Sequence, residues 1–287
     1  MSKTLDTVVE DVYGLLDGGW QVSEENLNKF LTNLASTIKD RSKRYDKKTL
    51  RMSMLGKKDR QIWYDLNGFE GEKLTPNTVL KFLYGDIIEL LLLYLVAEAG
   101  HKVHREQEEV EIEGIKGHID TFIDEELVDV KSASTYSFKK FKQGTLEFED
   151  PFGYMQQLSS YKQATGAERA AFLVLDKTLG HVCVFEPTKD SFDLFDPVKR
   201  AKEVKSVIQL EEPPEKCYED IPEGASGNRT LSVQCSYCAH KFECWKDSND
   251  GQGLRTFLYS TGPKHLTKVV KEPKVYEVPS EKRKVDR

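Results

Sequence analysis

The sequence predicts a mixed α/β fold, in which helices flank a central sheet, with an N-terminal helical region and a C-terminal cysteine-rich segment. Three observations support this prediction. The apolar residues of 76–99 are numerous and continuous enough for a buried helix. Strand-like and helix-like segments then alternate to about residue 207, which is typical of a sheet with helices packed on it. The cysteines are confined to the part of the chain from Cys183 onward.

The N-terminal part combines helices with a basic run. Residues 4–16 and 24–40 predict amphipathic helices, and Ser23 is a suitable N-cap for the second. Segment 39–60 has ten basic and three acidic residues, although the whole chain has a net charge of −6. Such a run is typical either of a solvated surface or of a segment that contacts phosphates.

Two aromatic residues, Trp63 and Tyr64, follow the basic run. They suit either core anchors or a base-stacking platform, and at least one of them is expected in the core. The net charge argues against a protein surface that is basic throughout and binds nucleic acid on all sides. It is compatible with a local basic face.

Three strands are predicted at 102–112, 115–123 and 126–134. The last two fold about a two-residue turn, which sets Asp120 opposite Asp129. Opposed side chains have Cβ atoms about 4.5–5.5 Å apart, so like charges placed there repel. Because side chains alternate along a strand, Lys131 shares the face of Asp129. Two carboxylates and an ammonium are unfavourable in a core but suit a divalent cation and a water.

The rest of the chain predicts further elements in order. These are a loop or flap at 138–150, a helix at 151–165, strands at 169–176 and 180–187, a helix at 189–207 and a loop at 211–230, then the cysteines and a polar tail. We therefore expect three segments: a helical and basic region at 1–75, the α/β core at 76–210, and the cysteine-rich segment and tail at 211–287.

Glu89 stands alone among apolar residues in the sequence IIELLLLYL. A buried carboxylate costs several kcal/mol unless it is paired or binds a cation. It is therefore either a structural salt-bridge partner or a third carboxylate that faces Asp120 and Asp129. Three carboxylates with waters and a phosphate suit Mg²⁺ or Mn²⁺. Lys131 would then orient the attacking water or offset charge on the phosphate.

Gln157 and Tyr161 are four residues apart and share one face of the predicted helix. They are either ordinary polar residues of the surface or part of a polar ridge beside the acidic site. In the second case they would contact a nucleotide backbone.

Together these residues resemble the motifs of the PD-(D/E)XK nucleases, in particular those of the RecB-type exonuclease branch. The four motifs occur in the family's order over roughly residues 80–190: GDIIE at 85–89, GHID at 117–120, DVK at 129–131 and QLSSY at 157–161. Many first motifs of that branch carry His where Glu89 stands. The chain also resembles the nucleases of tailed-phage replication modules.

The resemblance implies a restriction-endonuclease-like core with a defined site. Asp120 and Asp129 would be metal ligands, Lys131 the catalytic lysine and Glu89 a support of the metal site. Gln157 and Tyr161 would contact substrate or support the site. The basic run would contribute DNA contacts from Lys43, Arg44, Lys47 and Lys48.

The function implied is Mg²⁺- or Mn²⁺-dependent hydrolysis of DNA, by an exonuclease of replication, recombination or processing. DNA would be the partner, with other replication or recombination proteins as further candidates. The alternative is a non-catalytic DNA-binding or assembly module that kept the fold.

The sequence CSYCAHKFECW at 235–245 has the C-x₂-C-x₅-C spacing of the iron–sulfur subgroup of these nucleases. There the fourth ligand precedes the first motif, but here no cysteine precedes Cys183, so Cys217 is the substitute. Three outcomes stay open: an iron–sulfur cluster, a tetrahedral Zn²⁺ or no metal. The expected ligands are Cys217, Cys235, Cys238 and Cys244. Cys183 is expected in the core, and His240 is a weaker alternative ligand.

We expect a protein of a reducing, cytosolic compartment, which is the host cytoplasm if a phage encodes it. The first residues lack the continuous apolar stretch of a signal peptide. The most apolar run, at 87–99, contains two glutamates and is too short to span a bilayer, so no membrane partner is expected.

Overall fold

A computed structural model of the protein describes residues 3–41 and 49–279. Its contacts divide them into two compact units. One comprises the described residues of 1–56 and 79–203, and the other comprises 57–78 and the described residues of 204–287. Segment 57–78 thus groups with the C-terminal part of the chain, and the predicted segment boundaries at residues 75 and 210 stay a prediction.

The helices and strands follow one another in an order typical of a mixed α/β protein. The helices are α1 Val8–Gly18, α2 Glu24–Arg41, α3 Asp59–Leu66, α4 Pro76–Glu98, α5 Thr135–Lys142, α6 Tyr154–Thr165, α7 Lys189–Asp193, α8 Pro197–Val207, α9 Val233–Ser236, α10 Lys241–Cys244 and α11 Ser248–Gly251. The strands are β1 Val103–His104, β2 Glu109–Ile112, β3 Ile115–His118, β4 Thr121–Ile123, β5 Glu126–Ala133, β6 Ala170–Asp176, β7 Val182–Phe185, β8 Ile221–Pro222, β9 Arg229–Thr230, β10 Arg255–Tyr259, β11 Gly262–Lys268 and β12 Glu277–Val278.

The first unit is built on a mixed sheet. Its described strands lie in the order β1-β4-β5-β6-β7. β5 runs parallel to β6, and the other neighbours are antiparallel. β2 and β3 form a separate hairpin. The predicted mixed central sheet, flanked by helices and preceded by N-terminal helices, is confirmed.

Apolar side chains cover both faces of this sheet. On one face, Val128 and Val130 of β5 belong to a buried cluster with Leu92 and Val96 of α4. Residues of α1 join the same cluster. On the other face, the ring of Phe141 from α5 lies 5.4 Å from that of Phe172 in β6. β5 is therefore the central strand of a layered core.

Two predicted strands are each broken into two. Segment 102–112 becomes β1 and β2, because Arg105 and Gln107 adopt left-handed backbone conformations (φ 54° and 53°) that no regular strand accommodates. Segment 115–123 becomes β3 and β4, and Asp120 lies between them.

Two other predicted elements also differ. The predicted loop at 138–150 contains the end of α5, whose N-cap Ser134 accepts a hydrogen bond from the Ser137 N–H. The predicted helix at 189–207 is two helices, and Pro197 begins the second. Proline is favoured at the first position of a helix because its missing N–H has no partner to lose there.

The second unit contains a sheet where the sequence predicts a loop and a polar tail. Its described strands are antiparallel, in the order β12-β10-β11-β9-β8. Phe257 and Leu266 are buried in it. Thr256 and His265 are buried too, and the Thr256 hydroxyl lies 2.9 Å from His265 Nδ1. Because these buried polar side chains bond to each other, the strands lack the alternation of apolar residues by which a strand is predicted from sequence.

Trp63 and Tyr64 belong to the core of the second unit. Both are buried, and each packs against Phe69 with ring centroids 5.3 and 5.0 Å apart, respectively. The Trp63 indole donates a hydrogen bond to the Leu210 carbonyl at 2.9 Å. The expectation that at least one of the two is a core residue is confirmed.

The most apolar predicted helix is α4, which begins at Pro76. Its buried residues, Leu92, Leu93 and Val96, pack in the core of the first unit. Within residues 3–41 and 49–279, no helix combines the length and apolar character needed to cross a bilayer.

Candidate functional site

Asp129 and Lys131 lie side by side on β5. Alternation along the strand directs Val128 and Val130 toward α4, so Asp129 and Lys131 face the opposite layer. Asp129 is 2% exposed, and its Oδ2 forms an ion pair with the Lys131 ammonium. The strand thus holds a carboxylate and an ammonium together inside the protein.

Asp120 reaches the same place from the loop before β4. The predicted register of the β4–β5 hairpin is confirmed. Thr121 pairs with Val128, and two further residue pairs follow before the turn. Asp120 itself lies outside the strand, and its Oδ2 accepts a hydrogen bond from the Val130 N–H at 2.7 Å. This bond ties the Asp120 carboxyl to the strand that carries Asp129.

Glu89 of α4 is close enough to these groups to interact with them electrostatically. The strongest charge interaction of Glu89 is with Asp120, followed by those with Lys131 and Asp129. Gln107 donates a hydrogen bond from Nε2 to Glu89 Oε1 at 3.1 Å. The structure therefore brings together the four residues that the sequence analysis expects to be catalytic.

Burial and mutual repulsion shape the acid–base behaviour of this group. Burial, together with the charges of Asp120 and other carboxylates, raises the pKa of Glu89 to about 9. Burial and the charge of Asp129 raise the pKa of Asp120 to about 7. Burial alone would lower the pKa of Lys131, but the charges of Asp129 and Asp120 outweigh it and raise that pKa. Three carboxyl groups therefore share one ammonium, and Glu89 and Asp120 keep their protons to a higher pH than free carboxyl groups do.

The donor set fits a hard divalent cation, although no ion is part of the structure. Asp129 Oδ2 is buried, and its partner among the described residues is the Lys131 ammonium. Nowhere in residues 3–41 and 49–279 are three His, Cys, Asp or Glu side chains arranged to hold an ion by themselves. Mg²⁺ is usually bound by only one or two carboxylates, with waters and substrate phosphates completing the shell. Asp120 and Asp129 meet that requirement.

Gln157 and Tyr161 of α6 lie beside the carboxylates. Gln157 Nε2 donates to Asp129 Oδ1 at 3.4 Å. Tyr161 is buried, and its hydroxyl interacts with Gln157. A Cβ at Gly117 would lie 2.9 Å from the Tyr161 ring and 2.7 Å from Met52 Cβ. The absence of a side chain at Gly117 thus leaves space for the Tyr161 ring beside the site.

Sequence reasoning missed two residues of this site. Gln107 binds Glu89 through its side chain, and its backbone N–H donates to the Asp120 carbonyl at 3.1 Å. The ring of Tyr154 faces Lys131, whose Nζ lies 5.3 Å from the ring centroid. Tyr154 could have been found, because it is three residues before Gln157 on the same helix face. No sequence signal marks Gln107.

The basic run is only partly described. Lys43, Arg44, Lys47 and Lys48 lie outside the described residues. Three other members of the run have partners within the protein: Arg41 pairs with Asp86, Lys57 pairs with Asp65, and Arg60 contacts the Cys244 sulfur.

In the second unit, the predicted cysteine ligands line one cavity together with Arg60, Lys216 and Trp245. These ligands are Cys217, Cys235, Cys238 and Cys244, and all four are free thiols. Their convergence from separated positions in the sequence suits a shared ligand. They are not arranged to hold a single ion as they stand.

Hydrogen-bond donors surround the sulfur atoms of this cavity. Arg60 donates from Nε to Cys244 Sγ at 3.1 Å. Burial raises the pKa of Cys217, and the nearby backbone N–H groups of Gln61 and Arg60 partly oppose this; both lie in the first turn of α3, where such groups lack helical partners. Burial raises the pKa of Cys238 to about 11. The Cys238 thiol is therefore neutral at pH 7, and a metal that bound it would have to displace its proton.

Two other predicted roles can be compared with the structure. Cys183 is buried in β7, as expected of a core residue. His240 is buried and stacks on Tyr64, and its Nε2 lies 2.8 Å from Asp65 Oδ1. That nitrogen is therefore engaged by a carboxylate.

Comparison with known proteins gives distant structural similarities. No protein-family model and no curated protein sequence matches this chain. The crystal structure of SSO0001 is similar at a TM-score of 0.40 and 16% identity, over 75% of this chain and 94% of that chain. The alkaline exonuclease LHK-Exo from Laribacter hongkongensis gives 0.39 and 17%, over 57% of this chain and 91% of that chain. A phage-related exonuclease from Haemophilus somnus 129PT gives 0.35 and 18%, over 56% and 93%. The chain is thus distantly similar in backbone to two proteins named as exonucleases.

Proposed function

We propose that this protein is a metal-dependent nuclease that hydrolyses phosphodiester bonds in DNA, and that it acts as an exonuclease. The observation that carries the proposal is the convergence of Glu89, Asp120, Asp129 and Lys131 in one largely enclosed group, in which Asp129 is buried. The carboxylates of such a group repel one another unless they bind protons or a cation.

Each residue has a role that follows from its position. Asp120 and Asp129 would hold Mg²⁺ or Mn²⁺. When bound, that cation supplies positive charge at the scissile phosphate and eases attack by water. Lys131, held beside Asp129, directs its ammonium at the phosphate or at the attacking water. Gln157 fixes the orientation of the Asp129 carboxylate through its hydrogen bond.

The test is hydrolysis of linear DNA by the purified chain with Mg²⁺ or Mn²⁺. Asp129→Asn and Lys131→Met should each abolish it. The matched controls are Asp193→Asn and Lys177→Met, which change exposed residues of the same unit. Circular DNA should resist the wild-type protein, because an exonuclease needs an end. Hydrolysis that persists in both site variants would refute the proposal.

The role of Glu89 is tested by Glu89→Gln. The amide keeps the shape of the side chain and can still pair with Gln107, so the fold should survive while the ability to ionise beside a bound cation is lost. We expect lower turnover with an unchanged unfolding midpoint. Undiminished turnover would make Glu89 a structural residue.

The alternative is a non-catalytic DNA-binding or assembly module. It would be favoured by a protein that binds DNA but hydrolyses no nucleic acid at any concentration of Mg²⁺ or Mn²⁺.

DNA affinity is proposed to reside in the basic run. Lysine and arginine contacts to phosphate release counterions, so such binding weakens as salt rises. Changing Lys43, Arg44, Lys47 and Lys48 together to Ala should weaken DNA binding and flatten its salt dependence. An unchanged salt slope would place the binding face elsewhere.

The cysteine cavity is proposed to hold an iron–sulfur cluster or a Zn²⁺ ion. Four thiols in one cavity, with N–H donors at two of the sulfurs, match the chemistry of either group. Protein prepared anaerobically should contain about one equivalent of zinc, or should be brown with absorbance near 400 nm. Protein containing neither iron nor zinc would refute this proposal and leave the nuclease proposal untouched.

A further inference from the structure

Phe152 is an exposed aromatic residue next to the carboxylate site. It is 56% exposed and lies two residues before α6, the helix that carries Gln157. A single exposed phenylalanine is ordinary on a protein surface. What distinguishes Phe152 is how firmly its backbone is held and what its ring contacts.

The backbone around Phe152 is fixed from two sides. The Asp150 carboxylate accepts hydrogen bonds from the N–H groups of Phe152, Gly153 and Met155, at 3.2, 2.9 and 2.8 Å. Gly153 packs against Gly56 so closely that a Cβ on Gly56 would lie 2.4 Å from the Gly153 carbonyl oxygen. The ring is therefore presented from a rigid turn, which lowers the entropic cost of binding a ligand there.

Ring contacts connect Phe152 with Lys131. The Phe152 and Tyr154 rings lie 5.6 Å apart, tilted by 36°. The Lys131 ammonium lies 5.3 Å from the centroid of the Tyr154 ring. Phe141, which is buried, stacks on Tyr154 at 6.2 Å and holds that ring in place. Tyr154 thus contacts both the Lys131 ammonium and the exposed ring of Phe152.

We propose that Phe152 is a stacking surface for an unpaired nucleobase, so that the substrate of this site is a single-stranded segment or end. This inference rests on the proposed nuclease function. When a phosphate is held at Lys131, the base of a neighbouring nucleotide needs a surface to pack on. The exposed Phe152 ring beside Tyr154 offers that base an apolar face. A base inside a duplex already has both faces stacked, so within a nucleic acid that has no duplex end only an unpaired base can use Phe152. Because every base has a π face, the contact is tolerant of sequence.

The experiment measures binding of the full chain to fluorescent oligonucleotides with Ca²⁺ in place of Mg²⁺, and a gel verifies that they stay intact. The substrates are a single strand, a covalently closed circular duplex without ends and a single strand with abasic sites. Phe152→Leu should weaken binding to the normal single strand by roughly 5- to 150-fold, the range for loss of one base–aromatic contact. Binding to the other two substrates should not change.

Two variants sharpen the result. Phe152→Trp should retain wild-type affinity for the single strand, because it restores an aromatic face. Leu194→Ala, which changes another exposed apolar residue of the same unit, should bind all three substrates as the wild type does. Phe152→Leu with wild-type affinity for the single strand would overturn this inference alone. Wild-type protein that binds no nucleic acid would overturn the proposed function and this inference with it.

Discussion

The carboxylate site is built around one long, regular strand, whereas the cysteine cavity is lined largely from short helices and loops. Asp129 and Lys131 belong to an eight-residue strand that pairs with β6 from Leu127 to Ala133. Cys235 and Cys244 lie in helices of only four residues each. Ladder hydrogen bonds hold the first set in place without a ligand, while isolated helices of this length are unstable in water. The comparison predicts that removing a ligand lowers local stability far more at the cysteine cavity than at the carboxylate site.

Losing a cysteine should have the largest effect. Cys235→Ser removes one ligand of a site whose binding free energy would contribute directly to folding, so we expect a loss of several kcal/mol and of the bound metal. Amide hydrogen exchange should quicken in 211–254 while the first unit keeps its protection. Cys183→Ala, in the core of the first unit, should leave the metal content unchanged. Equal metal content and exchange in Cys235→Ser would show that the thiols hold nothing.

Removing the ammonium from the carboxylate site should have the next largest effect. Lys131→Met leaves buried carboxylates unpaired, and breaking such a pair costs about 3–5 kcal/mol. We expect this loss in urea unfolding of metal-free protein at pH 8, with Lys177→Met unchanged. Adding Asp129→Asn should restore most of the stability, because the unpaired charge is then removed. A double variant no more stable than Lys131→Met would contradict this account.

Stability of the metal-free protein should fall as the pH rises. The pKa of Asp120 is raised from 3.8 to about 7 and that of Glu89 from 4.5 to about 9 by burial and neighbouring negative charges. The folded protein therefore holds these protons more tightly than the unfolded chain does. The stability they contribute is complete below the unfolded values and is lost as the pH passes through about 7 and about 9.

Urea unfolding between pH 4 and pH 9 with EDTA measures this loss. Mn²⁺ should offset it at high pH, by about 2.7 kcal/mol at a concentration 100 times its Kd. Asp120→Asn should flatten the profile and remove the response to Mn²⁺. A profile unaffected by Mn²⁺ would exclude cation binding at the carboxylates.

The smallest effect is expected at Arg60. Arg60→Gln removes the hydrogen bond to Cys244 without removing a ligand, and losing such an outer contact typically costs 10–100-fold in metal affinity. Chelator competition measures it. Arg255→Gln, whose guanidinium pairs with Glu272 and Glu277, serves as the matched control. Equal affinities in wild type and Arg60→Gln would leave Arg60 a purely structural residue.

Local patterns predicted the first unit far better than the second. The apolar run of α4 and the turn between β4 and β5 are encoded within short windows, so their positions and the hairpin register could be read directly. The strands β10 and β11 could not, because Thr256 and His265 are buried through a hydrogen bond to each other rather than through apolar character.

The sequence by itself determined the mixed sheet with its flanking helices, the shared face of Asp129 and Lys131, and the isolation of Glu89 among apolar residues. These follow from side-chain periodicity and from the cost of burying a charge. Only the tertiary structure decided which distant residues meet. Gln107 reaches Glu89 because two left-handed residues bend the chain between β1 and β2. Arg60 meets Cys244 across 184 positions, a contact that no local pattern encodes, because contacts between distant segments depend on how the whole chain packs.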